Sequence, residues 1–127
     1  MRRMLRSMLA ASLLMGTALP TAAATLASGF IFSTGAILME CQISNAGKKP
    51  VTVGSTEVIG LSGDEDLVTT TGCFGAIAPR QTCSFAARVG SDGGRGQAEI
   101  GGSAAGVRGV CQLTDENNVI LAATEMR

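Results

Sequence analysis

Ala36-Ile37-Leu38-Met39-Glu40-Cys41-Gln42-Ile43-Ser44 repeats with a period of two. Ile37, Met39, Cys41 and Ile43 share one face; Leu38, Glu40, Gln42 and Ser44 share the other. That period marks a strand with one face buried. Asn45-Ala46-Gly47-Lys48-Lys49-Pro50 follows, and its Asn, Gly and Pro make a turn.

The same pattern continues downstream. Val51 and Val53 open a second strand, whose phase shifts at Gly54-Ser55 before Val58, Ile59 and Leu61, as at a bulge. Gly63-Asp64-Glu65-Asp66 is a turn, and Leu67 to Thr71 a short strand. Cys83, Phe85, Ala87 and Val89 share a face. Gly90-Ser91-Asp92-Gly93-Gly94 reads as a hairpin turn, Ala98 and Ile100 as one side of a short strand, and Gly101-Gly102-Ser103 as another turn. Val107, Gly109, Cys111 and Leu113 alternate with Arg108, Val110, Gln112 and Thr114. Asp115-Glu116-Asn117-Asn118 is a hairpin loop, because Asn tolerates left-handed backbone. Val119 to Thr124 is the last strand. About seven strands with turns every 8–12 residues predict an all-β antiparallel sandwich over residues 36–127. Residues 25–35, with Phe30 and Phe32 among Gly and Ser, are an N-terminal arm or an edge strand.

The first residues read as an address. Arg2, Arg3 and Arg6 precede an apolar core from Met8 to Leu19, and Ala22-Ala23-Ala24 supplies the small residues that signal peptidase requires. Residues 1–24 are thus a signal peptide, with 27 as the alternative end. The apolar stretch falls short of the about 20 residues of a full span, and Gly16 and Pro20 interrupt it, so no stable membrane insertion is expected after cleavage. The expected location is a bacterial periplasm or the medium. Seven basic residues then face ten acidic ones, a net charge of about −3. That charge argues against nucleic acid or an anionic membrane surface as partner.

Cys41, Cys73, Cys83 and Cys111 lie beyond the leader. An even count in a small exported domain reads as two disulfides, and four cysteines allow three pairings. Spacing and strand phase favour Cys41–Cys111, buried between sheets, and Cys73–Cys83, stapling the loop Phe74–Thr82. Chain entropy assigns about 4.5 kcal/mol to the long bridge and about 3 kcal/mol to the short one.

Chemistry is sparse. The chain has no His, Trp or Tyr, so the commonest general base and metal ligand are missing. Lys48 and Lys49 sit in a turn, solvated rather than poised beside a serine. Asp64, Glu65 and Asp66 form one acidic group, Asp115 and Glu116 another; both fall in turns, where charge is the default. Calcium at Asp64–Asp66 lacks the D-x-D-x-D-G pattern. Arg88 and Arg108 lie on the polar faces of separate strands and suit an anion only if those strands are neighbours. No catalytic residue, metal site or cofactor is expected.

Two stretches carry a resemblance. Asn45-Ala46-Gly47-Lys48-Lys49-Pro50-Val51-Thr52-Val53 resembles the N-x-G-x-x-P-[VL]-x-V turn and strand of Ig-like modules of the abnormal-spindle/hydin type. Cys73 to Phe85 is similar to the C-x-x-L-x-P-G-x-x-C-x-[FV] segment of bacterial members, with Arg80 standing where Gly is usual. The resemblance covers roughly residues 36–90. It implies an Ig-like sandwich with a non-catalytic binding or structural role, and it transfers no functional residues. The expected function is a non-enzymatic binding module for an envelope or extracellular protein or glycan. One alternative is a subunit of a surface fibre, with Gly29-Phe30-Ile31-Phe32 as donor strand. Another is an inhibitor of a secreted enzyme, acting through Pro79-Arg80 in the loop 74–82.

Overall fold

The computed structural model of the chain describes residues 24–61, 68–90 and 93–127. Residues 1–24, read as a leader, lie outside them except for Ala24, as do Asp64, Glu65, Asp66 and Asp92. Nine strands occur among the described residues: β1 (Ala24–Ala27), β2 (Leu38–Asn45), β3 (Val51–Gly60), β4 (Val68–Thr71), β5 (Gly75–Ile77), β6 (Thr82–Arg88), β7 (Gly94–Gly101), β8 (Val107–Thr114) and β9 (Ile120–Met126). They form two antiparallel sheets packed as a sandwich. One has the order β1-β7-β3-β5, the other β4-β6-β2-β8-β9.

The chain changes sheet at every connection from β1 to β8, and only β8 and β9 are joined as a hairpin within one sheet. This corrects the turn at Gly90–Gly94. It is no hairpin, since β6 and β7 belong to different sheets, and Gly94 and Gly96 already lie in β7. Gly and Asp suit a sheet crossing as well as a hairpin, so local turn chemistry does not separate the two. The cysteine loop is likewise more than a loop, because its Gly75–Ile77 pairs with Val51–Val53 as β5.

The inner faces make the core. Met39, Cys41 and Ile43 of β2, Phe85 and Ala87 of β6, and Cys111 and Leu113 of β8 face Val53 and Val58 of β3 and Ala98 and Ile100 of β7. Val53 and Val58 are an odd number of residues apart, yet both are buried. The pairing of β3 with β7 shifts register between Val53 and Thr56, which resets the pleat. Ile37, read as inward-facing, is exposed; β2 begins one residue later, and Ala36 takes the buried place.

Cys41 and Cys111 are direct register partners on the neighbouring strands β2 and β8, with a Cα separation of 4.0 Å. Closely spaced partners of this kind are the non-hydrogen-bonded pairs of an antiparallel ladder. The bridge therefore crosses one sheet and does not join the two. The inward phase of both cysteines is the same in either arrangement, which is why it did not discriminate. Both sulfurs instead press on the facing sheet at Gly96 of β7. A Cβ there would lie 2.7 Å from Cys111 Sγ and closer still to Cys41 Sγ.

The N-terminal segment runs along β7 and closes one side of the sandwich. Leu26 is buried over Gly109 of β8. Ala27 and Arg127 exchange backbone hydrogen bonds of 3.0 and 2.8 Å, and Ser28 bridges to Met126. The Ser28 hydroxyl accepts the Gly96 N–H at 2.9 Å. After Gly29 the chain rejoins β7 at Gly94 through Ile31.

Candidate functional site at the stapled end

Three connections meet at one end of the sandwich: residues 46–50, 72–81 and 101–106. They are brought together by β2, which pairs Ser44 with Thr82 of β6 and Asn45 with Val107 of β8.

The middle connection is the most constrained. The chain leaves β4, passes Cys73, crosses to the other sheet as β5, turns, and returns at Cys83 to β6. The Cys73–Cys83 bridge, with a Cα separation of 5.0 Å, ties the exit to the return. The turn is Ala78-Pro79-Arg80-Gln81, with the Gln81 N–H donating to the Ala78 carbonyl at 3.1 Å. Pro79 and a left-handed Arg80 (φ 66°) make it a type II turn, whose third position normally falls to Gly or Asn.

Asn45 locks this turn to its neighbour. Its side chain is buried and fully paired. Nδ2 donates to the Lys49 carbonyl at 2.8 Å and to the Ile77 carbonyl at 3.0 Å, and Oδ1 accepts the Gly47 N–H at 3.0 Å. Its backbone carbonyl accepts the Arg80 N–H at 2.8 Å. One amide thus holds both ends of the 46–50 turn and the end of β5.

What these connections present is uniform in sign. Lys48, Lys49 and Arg80 are their only charged residues, and all are exposed. None of the three forms an ion pair among the described residues, where Arg127–Glu125 at 3.4 Å is the only one. Phe74, on the same disulfide-held loop as Arg80, is 73% exposed. A concavity of about 330 Å³ lies next to it, lined by Gly72, Phe74, Ala76, Ile77, Gln81, Thr82 and Cys83. Aromatic residues and Arg are enriched at protein interfaces, and Arg recurs among their hot spots.

The other candidates fall elsewhere. Arg88 and Arg108 do share the outer face of the five-stranded sheet, on strands that both flank β2. Arg88 is opposite Leu38 and Arg108 is in the row of Ser44, six positions away, which is roughly 20 Å. They do not converge on one anion. Asp115 is a turn-former, its Oδ1 accepting the N–H groups of Asn117 and Val119. Among the described residues no three His, Cys, Asp or Glu side chains are grouped to hold a metal ion. Gly29–Phe32 is engaged with the chain's own β7, and the Arg95 guanidinium lies 5.3 Å from the Phe30 ring.

Sequence reasoning treated Lys48 and Lys49 as a solvated turn and Arg80 as a separate loop. No local signal joins them. Their meeting depends on β2 pairing with β6, and the balanced charge of the whole chain, ten basic against ten acidic residues, conceals a patch of one sign. Comparison of the chain with protein-family models, with curated proteins and with solved structures found no match.

Proposed function

We propose that this chain is an exported, non-enzymatic binding module that takes an acidic segment of an envelope or extracellular component at its stapled end. The observation that carries the reading is the pair of connections 46–50 and 72–81, which bear Lys48, Lys49, Arg80 and an exposed Phe74, with no acidic residue in them or in the adjoining 101–106. Preorganisation by the Cys73–Cys83 bridge and by Asn45 lowers the ordering cost of association. The loop geometry favours this over protease inhibition. Arg80 sits at a turn corner with left-handed backbone, and Gly75–Ile77 is committed to pairing with β3. The loop therefore lacks the extended, free backbone that a protease cleft requires.

The test replaces Phe74 with a photo-crosslinking residue in the native cells, with cross-linked species identified by mass spectrometry. One dominant adduct is expected, and Lys48→Glu with Lys49→Glu should abolish it. Arg80→Gly separates stability from binding. It relieves the left-handed arginine and raises stability by about 1 kcal/mol, while weakening the adduct. An adduct indifferent to all three substitutions overturns the reading.

Strand order supports an Ig-like core in a rearranged form. Constant-type Ig sheets are ABED and CFG. Here β2 neighbours β6 as B does E, β3 neighbours β7 as C does F, and β4 flanks β6 as D flanks E. The N-terminal β1 stands beside β7 in the place of G, and β8 beside β2 in the place of A.

Export is part of the same proposal. The mature protein is expected to begin at Thr25, which N-terminal sequencing of the processed protein reads directly. Cleavage after Ala27 would strip buried Leu26 from the core and remove the Ala27–Arg127 pair. A mature start at Ser28 would refute the assignment.

A further inference from the structure

We infer that β9 is a dimerisation edge, on which two copies of this chain pair their β9 strands antiparallel about a two-fold axis at Ala123. Of the strands at sheet edges, β5 has three residues and β4 and β1 have four each, whereas β9 has seven. Its outward direction is fixed by the seam. Arg127 exchanges both backbone hydrogen bonds with Ala27, so by alternation the N–H and C=O of Glu125 and Ala123 point to the same open side. They meet no partner strand among the described residues.

Edge strands are normally guarded by lysine, proline or an inward-pointing charge. Val119-Ile120-Leu121-Ala122-Ala123-Thr124 has none of these, and its one guard is the bulge at Leu121, where Ala122 faces Leu113 and Ile120 faces Thr114. An uncharged β-forming run of this kind pairs readily with itself. Four of the exposed large apolar residues are on this hairpin: Val110, Val119, Ile120 and Leu121, with Ile120 58% exposed.

A second copy suits this edge in charge and in length. With the axis at Ala123, Ala123 pairs with its own counterpart and Leu121 lies along the methylene stem of the other copy's Glu125. The two Glu125 carboxylates stay about 14 Å apart. Pairing centres on Ala123 and is bounded by the bulge at Leu121 on one side and, on the other, by Ser28 and Ala27, which already occupy Met126 and Arg127. A cleft lined by Ala27, Ser28, Gly29, Thr124, Glu125 and Arg127 gives the incoming strand's end room there. Such a contact uses the same patch on both copies and closes at two.

Sedimentation equilibrium of the oxidised, exported protein from micromolar to millimolar concentration should follow a monomer–dimer isotherm. Amide exchange at Ala123 and Glu125 should slow as concentration rises. Ala123→Pro removes an N–H that no described strand of its own chain uses, and it should return the mass to one chain with the circular-dichroism spectrum retained. Ala123→Lys, which keeps the backbone donor, should weaken association at least tenfold. A single-chain mass at millimolar concentration, dimers that survive both substitutions, or oligomers beyond the dimer would each overturn the inference. The stapled end takes no part in this contact, so these outcomes leave the proposed binding function untouched.

Discussion

Replacing Gly96 with alanine lowers the thermal midpoint by roughly 12–20 °C, equivalent to about 3 kcal/mol. Gly96 is buried in β7, directly under the Cys41–Cys111 bridge of the other sheet. The added methyl would overlap both sulfurs. Neither side has slack to yield. The bridge is pinned to two adjacent strands, and Gly96 is fixed by its ladder to Val58 and by hydrogen bonds to Ser28. The sheets must therefore part, and the core around Met39, Ala98 and Leu113 loosens with them.

A double-mutant cycle shows whether the clash is with the sulfurs. Cys41→Ala with Cys111→Ala should itself cost about 4 kcal/mol through the freed unfolded chain. In that background Gly96→Ala should be nearly neutral, since the atoms it struck are gone. Equal losses with and without the bridge would place the cause in the β7 backbone instead. Calorimetry or denaturant titration of the four variants decides it.

Asn45→Asp makes stability fall steeply with rising pH, a dependence the parent lacks at this position. The substitution keeps the shape and the acceptor for the Gly47 N–H. It replaces the amide donor with an oxygen facing the Lys49 and Ile77 carbonyls. Burial and those two carbonyl dipoles disfavour the carboxylate, so its folded-state pKa rises above the ordinary aspartate value. A raised folded pKa means that the folded state holds the proton longer, and stability is lost as pH climbs from about 4, the unfolded value. Below that, the protonated carboxyl can donate to one carbonyl and the variant approaches the parent. Asn45→Ala should instead cost about 3 kcal/mol at every pH, because it orphans three backbone groups without adding a titrating one. A pH-independent Asn45→Asp loss would refute this account. Denaturant melts of both variants between acid and neutral pH make the comparison.

Much of the architecture was legible in strand phase. Alternation in Leu38–Ser44, Cys83–Val89 and Val107–Leu113 found the inner faces of β2, β6 and β8, because side-chain direction is a local property of the pleat. The Gly54-Ser55 phase break found the bulge for the same reason. Less legible was β7. Its Gly94-Arg95-Gly96 start looks like a turn; it is a strand through its ladder with Val58–Gly60 of β3, and Gly stands at 96 because the opposing disulfide leaves no room for a side chain there. The candidate site was half visible. Phe74–Thr82 stood out as a loop between cysteines, but nothing local tied it to Lys48 and Lys49. Asn45, which makes that tie, read only as a turn residue. Its amide reaches Ile77, 32 positions away, and that reach depends on how the sheets stack.

The sequence by itself determined which side of each long strand is apolar, where turns interrupt the chain, and that the cysteines come as an even set. Those follow from the two-residue pleat, from Gly, Asn and Pro backbone preferences, and from residue count. Tertiary structure alone decided which strands are neighbours, that the long bridge spans one sheet, and that three cations share one end. Turn residues specify a change of direction but not a destination. Whether the chain returns to the same sheet or crosses to the other is settled by which inner faces fill each other's space, as Gly96 and the Cys41–Cys111 sulfurs do.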